Sequence, residues 1–100
     1  MLLIGKGLLV DFKRKHSDSR ERLEEWISDV EESRWNGPED VKSRYSSASF
    51  LKRNVVIFNI GGNKYRIIVV VEYQGGVVKV KWVGTHAEYD KINKRGALWN

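Results

Sequence analysis

From residue 55 onward, apolar positions crowd into three runs rich in β-branched residues: Val55 to Ile60, Tyr65 to Tyr73 and Val77 to Val83. Gly61-Gly62-Asn63 and Gly75-Gly76 separate them. Such runs bounded by turn residues predict a three-strand antiparallel meander. Taking Gly75-Gly76 as the two central residues of a hairpin turn sets a register in which Arg66 faces Thr85, Glu72 faces Lys79 and Val69 faces Trp82. The expected hairpin has two unlike faces. Ile67, Val69, Val71, Tyr73, Val78, Val80 and Trp82 form a packing face, and Arg66, Glu72, Lys79, Lys81 and Thr85 form a cationic one.

The first half of the chain reads as helices. Leu2-Leu3-Ile4 is too short for a signal-peptide core and predicts a first strand. Leu8, Leu9 and Phe12, followed by Lys13-Arg14-Lys15, predict a short amphipathic helix with a basic C-terminus that complements the helix dipole. Asp18 with Glu21 resembles a capping box, after which Leu23, Trp26, Ile27 and Val30 recur at helical spacing. The opposite face of that helix is acidic, so it points away from any nucleic acid, and Trp26 is expected in the core. Asn36-Gly37-Pro38 starts another short helix in which Val41 and Tyr45 share a face. Ser46-Ser47-Ala48-Ser49 reads as a small linker. The expected fold is α+β: N-terminal helices packed on a mostly antiparallel, three- to four-stranded sheet, with a short C-terminal helical turn, in one domain spanning residues 1–100.

Charge changes this picture because it is unevenly placed. The net charge is +5. Residues 1–50 hold nine Lys or Arg against ten Asp or Glu, whereas residues 51–100 hold nine against three. The sheet half therefore carries the whole surplus, and a cationic surface of this kind steers polyanions toward it. Without cysteine there is no disulfide framework or thiolate metal site, and no transmembrane pattern is present, so a cytoplasmic location without membrane association is expected.

Candidate chemistry lies at the end of the third run. Thr85-His86-Ala87-Glu88 has the form of a capping box, which would start a helical turn at His86 and place His86 and Tyr89 on one side of it. With Arg66 close by in the expected register, a guanidinium, an imidazole and a phenol gather. RNA cleavage by its own 2′-hydroxyl requires groups of this kind: a proton carrier, and a cation for the charged phosphorane. Free imidazole titrates at about 6.5 and free phenol at about 10, so His86 is the better candidate for proton transfer, while Tyr89 would act through a shift by neighbouring cations or by orienting a hydroxyl. Lys52, Arg53, Lys64, Lys79 and Lys81 are the expected RNA-binding cations. No metal site is expected, because His16 and His86 lie on different elements without supporting carboxylate spacing, and no cofactor is called for. A non-catalytic RNA-binding module and a protein-interacting regulator are the alternatives that these residues leave open.

The segments FNIGGNKYRIIVVVEY, from Phe58 to Tyr73, and VGTHAEYDKI, from Val83 to Ile92, resemble the HigB-type toxins of the RelE superfamily. The similarity continues more loosely through Trp35, Pro38 to Lys42 and Tyr45 to Leu51. The resemblance implies a RelE-like fold and an mRNA interferase that inhibits translation, usually within the ribosomal A site, by metal-independent 2′-hydroxyl attack. Its partners would be mRNA, the ribosome and a helix-turn-helix, HigA-like antitoxin through which alone it meets operator DNA. Arg66, His86 and Tyr89 stand at the positions of functional residues in that group.

Overall fold

The computed structural model describes residues 1–94, so the last six residues of the expected 1–100 domain lie outside the described part. The chain forms β1 (Leu2–Ile4), α1 (Lys6–Lys15), a 3₁₀ turn (Ser17–Ser19), α2 (Arg20–Glu32), α3 (Pro38–Arg44), β2 (Ser49–Phe50), β3 (Val55–Ile60), β4 (Tyr65–Glu72), β5 (Val77–Thr85) and α4 (His86–Lys94). The sheet order is β1-β5-β4-β3-β2, with β1 parallel to β5 and the other neighbours antiparallel. The α+β class is as read from the sequence. The sheet has five strands because Ser49 and Phe50, within and beside the expected linker, pair with Ile57 and Val56. Two residues are too short a strand to leave a periodic signal.

Helices α1 to α3 and the inner face of the sheet enclose the main core. Strand alternation sends Val56, Phe58, Ile60, Ile67, Val69, Val71, Val78 and Val80 inward. The helical spacing of Leu23, Trp26 and Val30 does the same from α2. Phe58 is the hub: Trp26 and Tyr45 meet it edge-on, with centroids 5.4 and 5.0 Å away, and Trp35 stacks on it at 6.1 Å. Arg44 Nε donates to Asp29 at 3.0 Å, and the Tyr45 hydroxyl donates to the same carboxylate. Burial and then Asp29 hold the Tyr45 phenol well above the ordinary tyrosine value, so it stays a donor in this strut between α2 and α3.

Three expectations are corrected. Asp18 does not cap α2; its carboxylate accepts from Lys64 Nζ at 2.8 Å and from the Tyr65 hydroxyl at 2.6 Å. A 3₁₀ turn enters the helix instead, with Ser19 Oγ donating to the His16 carbonyl at 2.6 Å. The β4–β5 turn is also longer than two residues. Glu72 pairs with Val77, the Gly76 N–H donates to the Tyr73 carbonyl at 3.3 Å, and Gly76 takes a left-handed φ of 69° while Gly75 does not. The pairing therefore moves by two residues at the turn, which leaves Val69 opposite Val80 and Val70 opposite Lys79.

The third correction follows from a β-bulge. Ile68 pairs with Trp82 while Val69 pairs with Val80, so Lys81 is the extra residue on β5. Because side chains alternate with period two, one inserted residue turns everything after it to the other face. Val83 then packs with the main core, and Trp82 leaves the expected packing face for the outer one. Arg66 faces Gly84, not Thr85.

The outer face is accordingly not simply cationic. Val55, Ile57, Ile68 and Tyr89 form a second buried cluster, with Val70, Trp82 and Ile92 against it. This cluster seats α4, a nine-residue helix where one helical turn was expected. Among the described residues, no helix is long and apolar enough to cross a membrane.

Candidate active site

The capping box at the start of α4 forms as the sequence implies. Thr85 N–H donates to Glu88 Oε1 at 2.8 Å, and Glu88 N–H donates to Thr85 Oγ1 at 3.1 Å. His86 N–H donates to the Lys64 carbonyl at 3.1 Å, which ties the helix start to the turn before β4. These bonds satisfy the N–H groups of Thr85, His86 and Glu88 at the start of the helix. They also fix where His86 and Tyr89 stand, and Arg66 comes up beside both from β4.

Arg66 Nη2 lies 3.1 Å from His86 Nε2, and the guanidinium carbon lies 4.4 Å from the centroid of the Tyr89 ring. The three expected catalytic residues therefore form one cluster. On its far side, His86 Nδ1 lies 3.1 Å from Asp90 Oδ2. A guanidinium can only donate, so Nε2 is the accepting nitrogen and Nδ1 carries the proton toward Asp90. Arg66 Nε is buried without a hydrogen-bond partner among the described residues. Tyr89 is 8% exposed and meets Arg66 with the face of its ring, an arrangement that attracts a cation.

Asp90 was given no role in the sequence reading. Its signal is the i, i+4 spacing from His86, which places the two side chains together on a helix. Gly84 was missed as well. A Cβ there would lie 2.4 Å from the Trp82 indole and 2.9 Å from Glu88 Oε1, so the absence of a side chain makes room for the ring beside the cluster.

The expected RNA-binding cations divide by position. Lys64 begins the strand that carries Arg66, but its ammonium is paired with Asp18 at 2.8 Å. The hydrogen bond from Lys64, and then that from Tyr65, holds the Asp18 carboxyl below the usual value, while Asp18 raises Lys64. Lys79 pairs with Glu72 at 3.1 Å, toward the far end of the hairpin. Lys52 and Arg53 are exposed on the β2–β3 loop, whose Asn54 carbonyl accepts from Val71 N–H at 2.9 Å. That end of β4 is five residues from Arg66, about 16 Å at the usual rise per strand residue. Lys81 is exposed on the bulge, one residue before Trp82. The fold thus brings together Arg66, His86 and Tyr89, turns the Lys64 ammonium to Asp18, puts Lys81 next to Trp82, and sets Lys52, Arg53 and Lys79 apart.

Comparison with known proteins identifies the family. Residues 19–92 match the family model for HigB toxin, described as the RelE-like toxic component of a toxin-antitoxin system. The chain is 26% identical over 96 residues to the mRNA interferase HigB of Escherichia coli O6:H1, covering 94% of this chain and 93% of that protein. It is 28% identical over 93 residues to the mRNA interferase toxin HigB of Escherichia coli K12, covering 90% and 88%. The mRNA interferase HigB of Shigella flexneri matches to the same extent, 28% over 93 residues.

Proposed function

Because the chain belongs to the RelE-like HigB toxins, the toxic components of toxin-antitoxin systems, we propose that it is an endoribonuclease that cleaves mRNA at the ribosome by attack of the RNA's own 2′-hydroxyl. The relatives' name, mRNA interferase, supports the substrate. The observation that carries the reaction type is the contact of Arg66 with His86, 3.1 Å apart. It puts a fixed positive charge beside a nitrogen able to accept a proton.

In this reading the scissile phosphate takes the Arg66 guanidinium, which releases His86 Nε2. His86 then accepts the proton of the 2′-hydroxyl while Asp90 holds the other ring nitrogen, so the imidazolium forms beside a carboxylate. The 2′-oxygen bonds to phosphorus, the bond from phosphorus to the 5′-oxygen breaks, and that oxygen takes up a proton from solvent water, whose hydroxide is neutralised by the proton His86 releases. Arg66 offsets the charge gathering on the non-bridging oxygens. The Tyr89 ring holds the guanidinium in place. The products are a 2′,3′-cyclic phosphate, which water opens to a 3′-phosphate, and a 5′-hydroxyl. The antitoxin partner in this proposal is a helix-turn-helix protein.

The test is translation in vitro with the RNA ends mapped and their chemistry determined. Cyclic or 3′-phosphate ends paired with 5′-hydroxyls, continued cleavage of messages with chelator present, and no cleavage at a 2′-deoxy nucleotide are the expected results. Ends bearing 5′-phosphates would refute the mechanism, and equal cleavage of free and ribosome-bound message would refute the ribosomal setting.

A further inference from the structure

We propose that the groove between α1 and β5 is a subsite for single-stranded RNA beside the cluster, in which one base stacks on Trp82 while flanking phosphates meet Lys15 and Lys81. The inference rests on the RNA-cleavage reading above, but it concerns residues outside the Arg66, His86 and Tyr89 cluster.

The groove exists because β1 is short. It pairs only with Val77 to Lys79, so β5 continues beyond it with no strand at that edge. The chain leaves β1 through Gly5, at φ 94°, pressed so closely on β5 that a Cβ would lie 2.8 Å from the Val80 carbonyl oxygen. Helix α1 then runs beside the open edge. Between them lies a groove of about 250 Å³, lined by Leu8, Asp11 and Lys15 from α1, Lys81, Trp82 and Val83 from β5, and Phe12 at its floor.

The bulge equips this groove. Inserting Lys81 exposes its ammonium and turns Trp82 away from the main core toward the outer face, where the residue is partly exposed. Gly84 lets the indole lie along the strand, and the indole centroid stands 6.3 Å from that of Tyr89. Trp82, which lines the groove, thus neighbours the ring that supports Arg66. Lys15 is exposed on the opposite wall, and neither it nor Lys81 makes an ion pair among the described residues. Asp11 is the lone carboxylate in the lining. An aromatic side chain and two cations without ion pairs in one groove suit bases and phosphates in alternation, the arrangement by which single strands are held without duplex geometry. A basic protein partner would instead favour the acidic face of α2, which lies outside this groove.

The experiment compares wild type with Lys15→Ala/Lys81→Ala, Trp82→Leu, Trp82→Phe and, as a charge-loss control on α2, Arg22→Ala. Binding is read by fluorescence anisotropy on a short mRNA fragment made uncleavable by 2′-deoxy substitution, and cleavage is read in single-turnover assays with protein in excess. The double lysine variant should bind about 10-fold more weakly, and its salt dependence should be shallower by about 1.4 in log–log slope, the value for two phosphate contacts on a single strand. Trp82→Leu should lose roughly 10-fold or more in affinity, while Trp82→Phe keeps most of it. Arg22→Ala should match wild type. In cleavage, the lysine variant should need more protein to reach half-maximal rate, with the saturating rate within about twofold of wild type.

If the lysine variant binds as wild type does, or wild type does not bind this RNA, the subsite is wrong. Should binding depend on the groove while wild type fails to cleave ribosome-bound message, the subsite stands and the endonuclease reading falls. Trp82 also packs against the outer cluster, whereas both lysines are exposed, so their variant decides the question alone.

Discussion

The two faces of the sheet are built from the same strands but differ in what their side chains are for. The inner face meets three helices and buries a continuous set of residues, with Phe58, Ile67, Val69, Val71 and Val78 all at 0% exposure. The outer face buries a small set around Ile68, just enough to seat α4, and leaves Arg66, His86 and Trp82 at its margin. Where one face is filled, the other can afford polar groups at partial exposure. A small cluster supports the site without covering it.

The comparison predicts that the inner face dominates stability. Phe58→Ala should cost about 3–5 kcal/mol, read by denaturant melts, because its ring is the contact of three other aromatic rings and its loss leaves a cavity. A loss below about 1 kcal/mol would show that the inner core is not the principal store of stability. On the outer face the order of effects reverses. Arg66→Ala should reduce single-turnover cleavage by about 10²- to 10³-fold and leave the melting transition nearly unchanged. Equal loss of both would make Arg66 a packing residue.

Gly84→Ala sharpens the contrast at a single atom. The added methyl meets the Trp82 indole at 2.4 Å, so the ring must move, at a cost of about 1–3 kcal/mol. Cleavage should fall with it, because the indole stands next to Tyr89. A structure of the variant with Trp82 unmoved would contradict the placement. Thr85→Ala removes one arm of the capping box and should cost about 1 kcal/mol, confined to α4. Hydrogen exchange should then rise in residues 86–94 while β3 and β4 stay protected.

The smallest effect concerns Asp18. Its carboxyl is held below the ordinary value by Lys64 and Tyr65, so the folded state binds its proton less readily than the unfolded state does. Its contribution is present above the unfolded pKa, near 3.9, and is lost as pH falls through the folded value. The pair is solvent-exposed and the contribution correspondingly small. Acid titrations of stability should show a shallower slope below pH 4 in Asp18→Asn than in wild type; the same slope would mean that the carboxylate is not linked to folding.

The elements of the second half are legible in the chain because β-branched runs and glycine turns are local signals. Val55–Ile60 was read with its observed bounds, and the Thr85–Glu88 cap formed as read. Leu23, Trp26 and Val30 declared the buried side of α2 by spacing alone. Asp18 failed as a cap because the competing donors, Lys64 and Tyr65, arrive from 46 and 47 residues away. The gathering of Arg66, His86 and Tyr89 was legible in outline, since a hairpin must return the chain to the neighbourhood of Arg66.

What the sequence determined by itself is therefore the set of elements apart from β2 and the 3₁₀ turn, the helical start at His86 and the residue types available for phosphate chemistry, since each depends on groups within a few positions. Tertiary structure alone decided the register of β4 against β5, the bulge at Lys81 and the face given to Trp82. A turn of two or four residues around Gly75-Gly76 leaves the local pattern equally well satisfied. The choice between them rests on how Ile67, Val69, Val80 and Val83 fill the space under the helices, a packing condition that no short stretch of the chain contains.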